Sequence, residues 1–289
     1  MDALNNKTLD NVTLQNGFDV WFASYGSPHA LNTFVLVHGG AGSHLDFQYL
    51  SPHLVQDNVN VVAVDLPGNG LTSANAAGGI DLTENRIVDA LVELIDAMRK
   101  RDPQRRIFLV GHSLGGMTAM QVAAKPSMNE ALAGLALLNS GGFRPHVGGR
   151  PYWLVRLLYR SLVVSSFVRV VMSFVVHFVL VYVMGFAASK TKDEAVFTFH
   201  RGGTLDFSRI KSSAQAISKS MLPTFLATAL IDRIIEKEIS DEVCAVLKPA
   251  VRIEYPSGGH NIQKTRATDL AAALVSWANS IPPVHQPSS

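Results

Sequence analysis

The chain has 289 residues, with 25 Lys and Arg against 23 Asp and Glu and a formal net charge of +2. That length suits a single α/β core carrying an insertion better than one small domain. The scattered, nearly balanced charge argues against a nucleic-acid-binding face, and the lone cysteine, Cys244, excludes an intrachain disulfide.

Taken in chain order, Val12-Thr13-Leu14-Gln15 and Phe18-Asp19-Val20-Trp21 flank Asn16-Gly17, which predicts an antiparallel hairpin around a two-residue turn. The first thirty residues lack a basic stretch followed by an apolar core. No secretory signal is therefore expected, and a cytoplasmic location is the default. Residues 34–37 form an apolar strand running into a Gly-rich loop, His38-Gly39-Gly40-Ala41-Gly42. A second strand, 59–64, is closed by Asp65-Leu66-Pro67-Gly68-Asn69-Gly70, whose proline and glycines force a tight exit and make Asp65 a turn residue. A helix over 82–100, a strand over 107–110, a helix over 114–125 and a strand over 134–138 follow. This alternation predicts an α/β fold, a mostly parallel central sheet with helices on both faces.

The stretch Gly111-His112-Ser113-Leu114-Gly115 sits where the 107–110 strand turns into the following helix. Such a turn leaves its middle residue little room, so small neighbours are needed at Gly111 and Gly115, and the Ser113 hydroxyl is pushed out above the sheet. Ser113 is the expected nucleophile; a solvated serine in a Gly-rich turn is the alternative.

From 143 to 222 the chain departs from the βαβ rhythm. Residues 162–188 are unusually apolar, and 170–188 contain no Lys, Arg, Asp or Glu, a length that fits a membrane span of about twenty residues. Three readings compete: a helical cap over the site, a cap that also touches a bilayer surface, and a true span. Spanning conflicts with topology, because the strands before and after the segment belong to one sheet. Arg156, Arg160 and Arg169 flank the run, either as cations for phosphate head groups or as a solvated helix face.

A serine needs a base to take its proton. His260, in Pro256-Ser257-Gly258-Gly259-His260-Asn261, follows the strand-like run 250–255 on a flexible approach and is the expected base. Asp232, just beyond the apolar run 223–230, is the expected orienting acid on the chain order Ser, Asp, His; Asp241 and Asp206 are the alternatives, as is a plain helix-capping role for Asp232. The oxyanion of a tetrahedral intermediate would be held by the amide of Leu114 and by that of Gly40, with His38 propping the loop. Cys244 falls in the helical run 234–247 and reads as an apolar packing residue. No Cys/His cluster has metal spacing and no loop has a dinucleotide or P-loop pattern, so neither metal nor cofactor is expected.

His38-Gly39-Gly40-Ala41-Gly42, Asp65-Leu66-Pro67-Gly68-Asn69-Gly70-Leu71-Thr72, Gly111-His112-Ser113-Leu114-Gly115-Gly116, Asp232 and Gly258-Gly259-His260-Asn261, in this order, resemble the α/β-hydrolase fold superfamily over roughly 8–143 and 223–280. The resemblance implies a capped serine hydrolase of esterase or lipase type: Ser113 nucleophile, Asp232 acid, His260 base, Gly40 and Leu114 oxyanion hole. Similar proteins often carry Gly three residues before the acid, where this chain has Ala229. Serine at 113 argues against the epoxide hydrolases and haloalkane dehalogenases of the same fold, which attack through a carboxylate. The expected organisation is a core in two parts, 1–142 and 223–281, an apolar cap insertion 143–222, and a Pro/Ser-rich tail 282–289. The expected substrate is small and hydrophobic, an acyl ester or acylglycerol, with peripheral membrane contact through 162–188. Carbon–carbon, amide or acyl-transfer chemistry, cofactor-free haloperoxidase-like chemistry, and a non-catalytic binding scaffold are the alternatives. The oligomeric state is not legible.

Overall fold

Strands that are mostly apolar along their whole length belong in a sheet covered on both faces. In the computed structural model, which describes residues 7–77 and 79–282, every residue of β3 (Asn32–Val37) and β4 (Val59–Val64) is buried. They join β1 (Thr8–Thr13), β2 (Asp19–Tyr25), β5 (Arg106–His112), β6 (Leu132–Leu138), β7 (Thr224–Ala229) and β8 (Val251–Tyr255) in one sheet of order β1-β2-β4-β3-β5-β6-β7-β8. β1 and β2 pair antiparallel with their neighbours, and every pairing from β4 to β8 is parallel. The expected α/β class and sheet are borne out. The expected Pro/Ser-rich tail lies mostly at 283–289, outside the described residues.

The pleat divides the core in two. Phe34 and Leu36 of β3 pack with Leu50 and Leu54 of α1 (Leu50–Leu54) and with Leu270, Leu274 and Trp277 of α9 (Ala267–Ser280). Val35 and Val37 point the other way, to Leu91 and Leu94 of α2 (Glu84–Arg101), Met117 and Met120 of α3 (Leu114–Ala123), and Val243 of α8 (Lys237–Leu247). Each such fully buried side chain stabilises the fold by about 1.5–3 kcal/mol relative to exposure.

One local expectation needs correction. The first hairpin does not close on a two-residue turn. Thr13 pairs with Asp19, the Leu14 N–H donates to Phe18 O (2.9 Å) and the Gly17 N–H to Leu14 O (2.9 Å), so the loop is Gln15-Asn16-Gly17 with Gly17 at φ 84°. The glycine fills the left-handed position of a three-residue loop, a common alternative to the two-residue turn.

Between β6 and β7 run α4 (Tyr152–Val164), α5 (Ser166–Phe178) with a π-helical extension Val179–Val183, α6 (Lys192–Gly203) and α7 (Phe207–Ser220). The insertion expected over 143–222 is not uniform. α7 lies in the main core, with Ile210, Ala214 and Ile217 in the same cluster as Met117 and Met120. α4, α5 and α6 instead make a small cluster of their own, Leu162, Val176, Leu180, Ala195, Val196 and Phe199, whose one partner from the sheet side is Ala41. The apolar run is also broken. Ser165 is extended (φ −161°, ψ 164°) and its hydroxyl accepts from the Val168 N–H at 3.2 Å, ending α4 and capping α5.

A buried ion pair ties α6 to the core. The Arg201 Nε–H donates to Glu84 Oε2 at 2.6 Å, Nη2 reaches the Thr118 hydroxyl at 2.5 Å, and that hydroxyl bonds Glu84 Oε1, so α6, α2 and α3 meet at one point. Arg201 and Glu84 are both buried.

Candidate active site

Parallel strands deliver their C-terminal ends to one edge of the sheet, where backbone turns toward solvent. Here the ends of β3, β5, β6, β7 and β8 carry His38–Gly42, Ser113, Asn139, Asp232 and His260. Ser113 adopts φ 55°, ψ −123°, a conformation that costs a non-glycine residue about 1–3 kcal/mol. Its N–H donates to Leu138 O (3.0 Å), and its carbonyl accepts from Gly116 N–H (3.0 Å) and Gly141 N–H (3.1 Å), which over-determine the turn. The glycines around it are required sterically. A Cβ at Gly111 would lie 2.5 Å from Gly116 Cα, and one at Gly115 would collide with the Val37 and His38 carbonyls.

His260 is brought over the sheet by Gly258 (φ 139°) and Gly259 (φ 64°). Its Nε2 stands 2.9 Å from Ser113 Oγ and its Nδ1 stands 2.8 Å from Asp232 Oδ2. Asp232 Oδ1 accepts from the Ile234 and Ile235 N–H groups at 2.7 and 3.1 Å, so the loop after β7 closes with Ala229 in place of the usual glycine. Burial of the Asp232 carboxyl works against its charge. The His260 hydrogen bond and charge and the two backbone donors outweigh that and hold its pKa below the ordinary carboxylate value. An ionised Asp232 accepts the Nδ1–H, which leaves the Nε2 lone pair facing the Ser113 hydroxyl.

The alternative acids lie elsewhere. Asp206 caps α7, accepting from the Arg209 N–H at 3.0 Å, and Asp241 sits at the surface with Lys237 and Arg252. Cys244 is half-buried on α8. Among the described residues, no group of three His, Cys, Asp or Glu side chains is arranged to hold a metal ion.

Gly40 lies beside the first residue of α3. A Cβ there would be 3.7 Å from both Leu114 Cδ2 and Thr198 Cγ2, so α6 overlooks this loop. Ala41, buried, is held at φ 48°. His38 does prop the loop: its Nδ1 lies 2.8 Å from Gly39 O and its Nε2 accepts from the Leu66 N–H at 3.1 Å. Asp65 is a turn residue as read, accepting from the His44 side chain and from the His44 and Leu71 N–H groups.

Sequence reasoning missed the residues that hold His260 in place. The Asn139 side chain, itself at φ 40°, donates Nδ2–H to Gly259 O (2.9 Å) and His260 O (2.8 Å), and its Oδ1 accepts from the Ala229 N–H (2.8 Å). His112 Nε2 lies 3.0 Å from the same His260 carbonyl. The one local hint was an asparagine ending an apolar strand, since Asn tolerates positive φ better than most residues. Among the described residues, the buried atoms His146 Nδ1, Thr198 Oγ1 and Gln263 Oε1 near the centre lack hydrogen-bond partners.

His38 and His112 are held neutral. Burial is the first cause for both, and it pushes their pKa values down from 6.5 to about 4 and about 3 respectively. Below pH 6.5 the unfolded chain binds protons that the folded chain refuses, so the stability these groups contribute is full above 6.5 and is lost as pH falls toward 4. Together they are expected to cost about 2 kcal/mol of stability between about pH 6.5 and 5.5. Urea unfolding at the two pH values reads this directly, and equal midpoints would show that the two imidazoles protonate freely in the fold.

Residues 5–269 match the family described as "Alpha/beta hydrolase of unknown function (DUF1057)". The chain belongs to the α/β-hydrolase family. Among relatives of this α/β hydrolase, an uncharacterized hydrolase of Bacillus subtilis, YugF, is 25% identical over 267 residues, covering 87% of this chain and 91% of that one. An uncharacterized protein of Caenorhabditis elegans, F35H12.5, is 27% identical over 125 residues, which span 42% of this chain and only 34% of that protein. The haloalkane dehalogenase DbeA of Bradyrhizobium elkani superposes with a TM-score of 0.74 at 17% identity, over 95% of this chain and 98% of the other. Esterases and lipases share the fold, and methylesterases stand among the sequence relatives.

Proposed function

We propose that this α/β hydrolase is a serine hydrolase that cleaves an ester-like bond of a hydrophobic substrate. One observation carries the reading: Ser113 Oγ, His260 and Asp232 form a continuous hydrogen-bonded chain of 2.9 and 2.8 Å, with the serine on a strained turn. In the reaction, Ser113 Oγ attacks the substrate carbonyl while His260 Nε2 takes its proton, and Asp232 stabilises the imidazolium that forms. The N–H groups of Gly40 and Leu114 receive the oxyanion; losing one such donor typically costs about 10²–10³ in rate. His260 then gives its proton to the leaving alkoxy oxygen, which leaves an acyl-Ser113. Water attacks that ester with its proton going to His260, and collapse returns the proton to Ser113 Oγ and frees the acid.

The segment α4–α6 is the cap of this site. It supports a hydrophobic substrate, since the cluster of Leu162, Val176, Leu180 and Phe199 is apolar and reaches Ala41 in the loop beside Gly40. A series of p-nitrophenyl esters tests the preference. kcat/KM is expected to climb from acetyl toward longer acyl groups by up to about fourfold per methylene until the pocket is filled. A flat series, or one that falls from acetate onward, would remove the hydrophobic-substrate reading while leaving the serine chemistry intact.

A further inference from the structure

The largest unexplained feature of the molecule is the outer face of α4 and α5. A helix as apolar as α5 would normally be a core helix, yet only 11% of Ser166–Val183 is buried. Among the described residues this is the one helix long and apolar enough to cross a membrane. Its inner side is spent on the small cluster with α6 and Ala41. On its outer side Phe167, Val170, Val171, Phe174, Val175, Phe178 and Tyr182 follow one another at helical spacing, with Phe167 77% and Tyr182 70% exposed. Trp153, Leu154, Leu157 and Val164 of α4 extend the patch. A continuous apolar surface of this extent marks a docking face.

Charge says what docks there. From Ala131 to Lys192 the chain carries seven of its 25 Lys and Arg and none of its 23 Asp and Glu, so that segment is strongly cationic while the rest of the chain is net acidic. Arg144, Arg150 and Lys190 are engaged by Glu242, Glu236 and Glu194. Arg156 and Arg160, exposed on α4 beside the apolar patch, make no ion pair among the described residues, and Lys192 Nζ lies 3.5 Å from the centroid of the Phe174 ring. A second copy of this chain is a poor occupant, because a self-complementary interface would set these cations against themselves. A span fails on topology. β6 and β7 are parallel neighbours in one sheet, so the chain must return to the side it left, and α4 with its two arginines is no second span.

We propose that the α4–α5 face is a membrane-docking surface that lies in the interface of an anionic lipid bilayer. The apolar stripe sinks below the head groups, Trp153 and Tyr182 sit at their level, and Arg156 and Arg160 meet the phosphates. The face lies on the back of the same cluster that touches Ala41, so a docked molecule holds its candidate site close to the lipid. The proposal goes beyond the hydrolase reading and stands without it.

Flotation of the full chain with vesicles tests it. The chain is expected to float with phosphatidylcholine vesicles containing phosphatidylserine, to float less with phosphatidylcholine alone, and to be released by salt. Phe167→Glu with Val171→Glu should keep the chain at the bottom of the gradient with its unfolding temperature unchanged, since both side chains are exposed. Arg156→Ala with Arg160→Ala should lower partitioning to the anionic vesicles about 25-fold, at about fivefold per arginine, and leave binding to neutral vesicles alone. Ser113→Ala should float as the parent does, so a failure of the hydrolase reading would not touch this one. A wild-type chain that ignores both vesicles overturns the proposal. So does a dimer in solution that the Phe167→Glu/Val171→Glu pair splits without any change in lipid binding. Resistance to alkaline carbonate extraction would mean a span and would overturn it equally.

Discussion

A fluorophosphonate that labels the chain stoichiometrically will not label Ser113→Ala, and ester turnover will fall by about 10⁴- to 10⁶-fold. The size follows from what is removed. In the proposed reaction the Ser113 hydroxyl oxygen is the atom that bonds to the substrate carbon, and it stands 2.9 Å from His260 Nε2. The variant will fold, because alanine occupies φ 55° at no greater cost than serine and the three backbone hydrogen bonds of the turn involve no side chain. Ser113→Gly is expected to be equally inactive and more stable than the parent by about 1 kcal/mol, since glycine adopts that conformation without strain. His260→Ala should cost as much as Ser113→Ala, and the double variant little more, as expected of groups that act as a unit. Asp232→Asn should lose about 10⁴-fold by favouring the wrong imidazole tautomer. Labelling that survives in Ser113→Ala would mean another nucleophile. An unlabelled, well-folded parent, with and without detergent, would point to a binding scaffold.

Arg201→Met is expected to lower stability by about 3–5 kcal/mol, the cost of stranding a buried charge. The corresponding drop in Tm is about 6–10 °C for a chain of this size. Glu84 has no access to water, and removing the guanidinium leaves its carboxylate only the Thr118 hydroxyl. Adding Glu84→Gln should recover most of the loss, because the penalty belongs to the unpaired charge and not to the absence of the pair. The pair also holds α6, whose Thr198 lies over Gly40, against the helix that begins after Ser113. A Tm for Arg201→Met within a degree or two of the parent would show that α6 is held by its apolar contacts alone.

Local chemistry made much of this molecule legible in the sequence. Alternating buried strands and helices follow from hydrophobic patterning, and the turn at Ser113 follows from steric crowding that only Gly111 and Gly115 relieve. Those are properties of neighbouring residues. Choosing Asp232 over Asp206 and Asp241 was a different matter, because all three follow or precede regular elements in similar ways. What separates them is that the strand order β5-β6-β7-β8 brings the loop after β7 to within 2.8 Å of an imidazole 28 residues later. Asn139 and His112 escaped notice for the same reason: their partners, Gly259 and His260, are 120 to 148 residues away.

The apolar segment shows the division most sharply. Composition established that 162–188 could not be ordinary surface, but it assigned no direction to the side chains. Tertiary packing decided that Val176 and Leu180 face inward to α6 and Ala41 while Phe167, Phe174 and Tyr182 face out, because three helices offer only so much area to cover a fourth side. The sequence by itself determined the elements and singled out Ser113 and His260 as candidate nucleophile and base, since periodicity and local sterics are short-range. Chain order favoured Asp232, and the structure decided which of the three carboxylates meets His260, which residues hold that imidazole, and the bare face of α5, since each depends on which distant segments the sheet brings together.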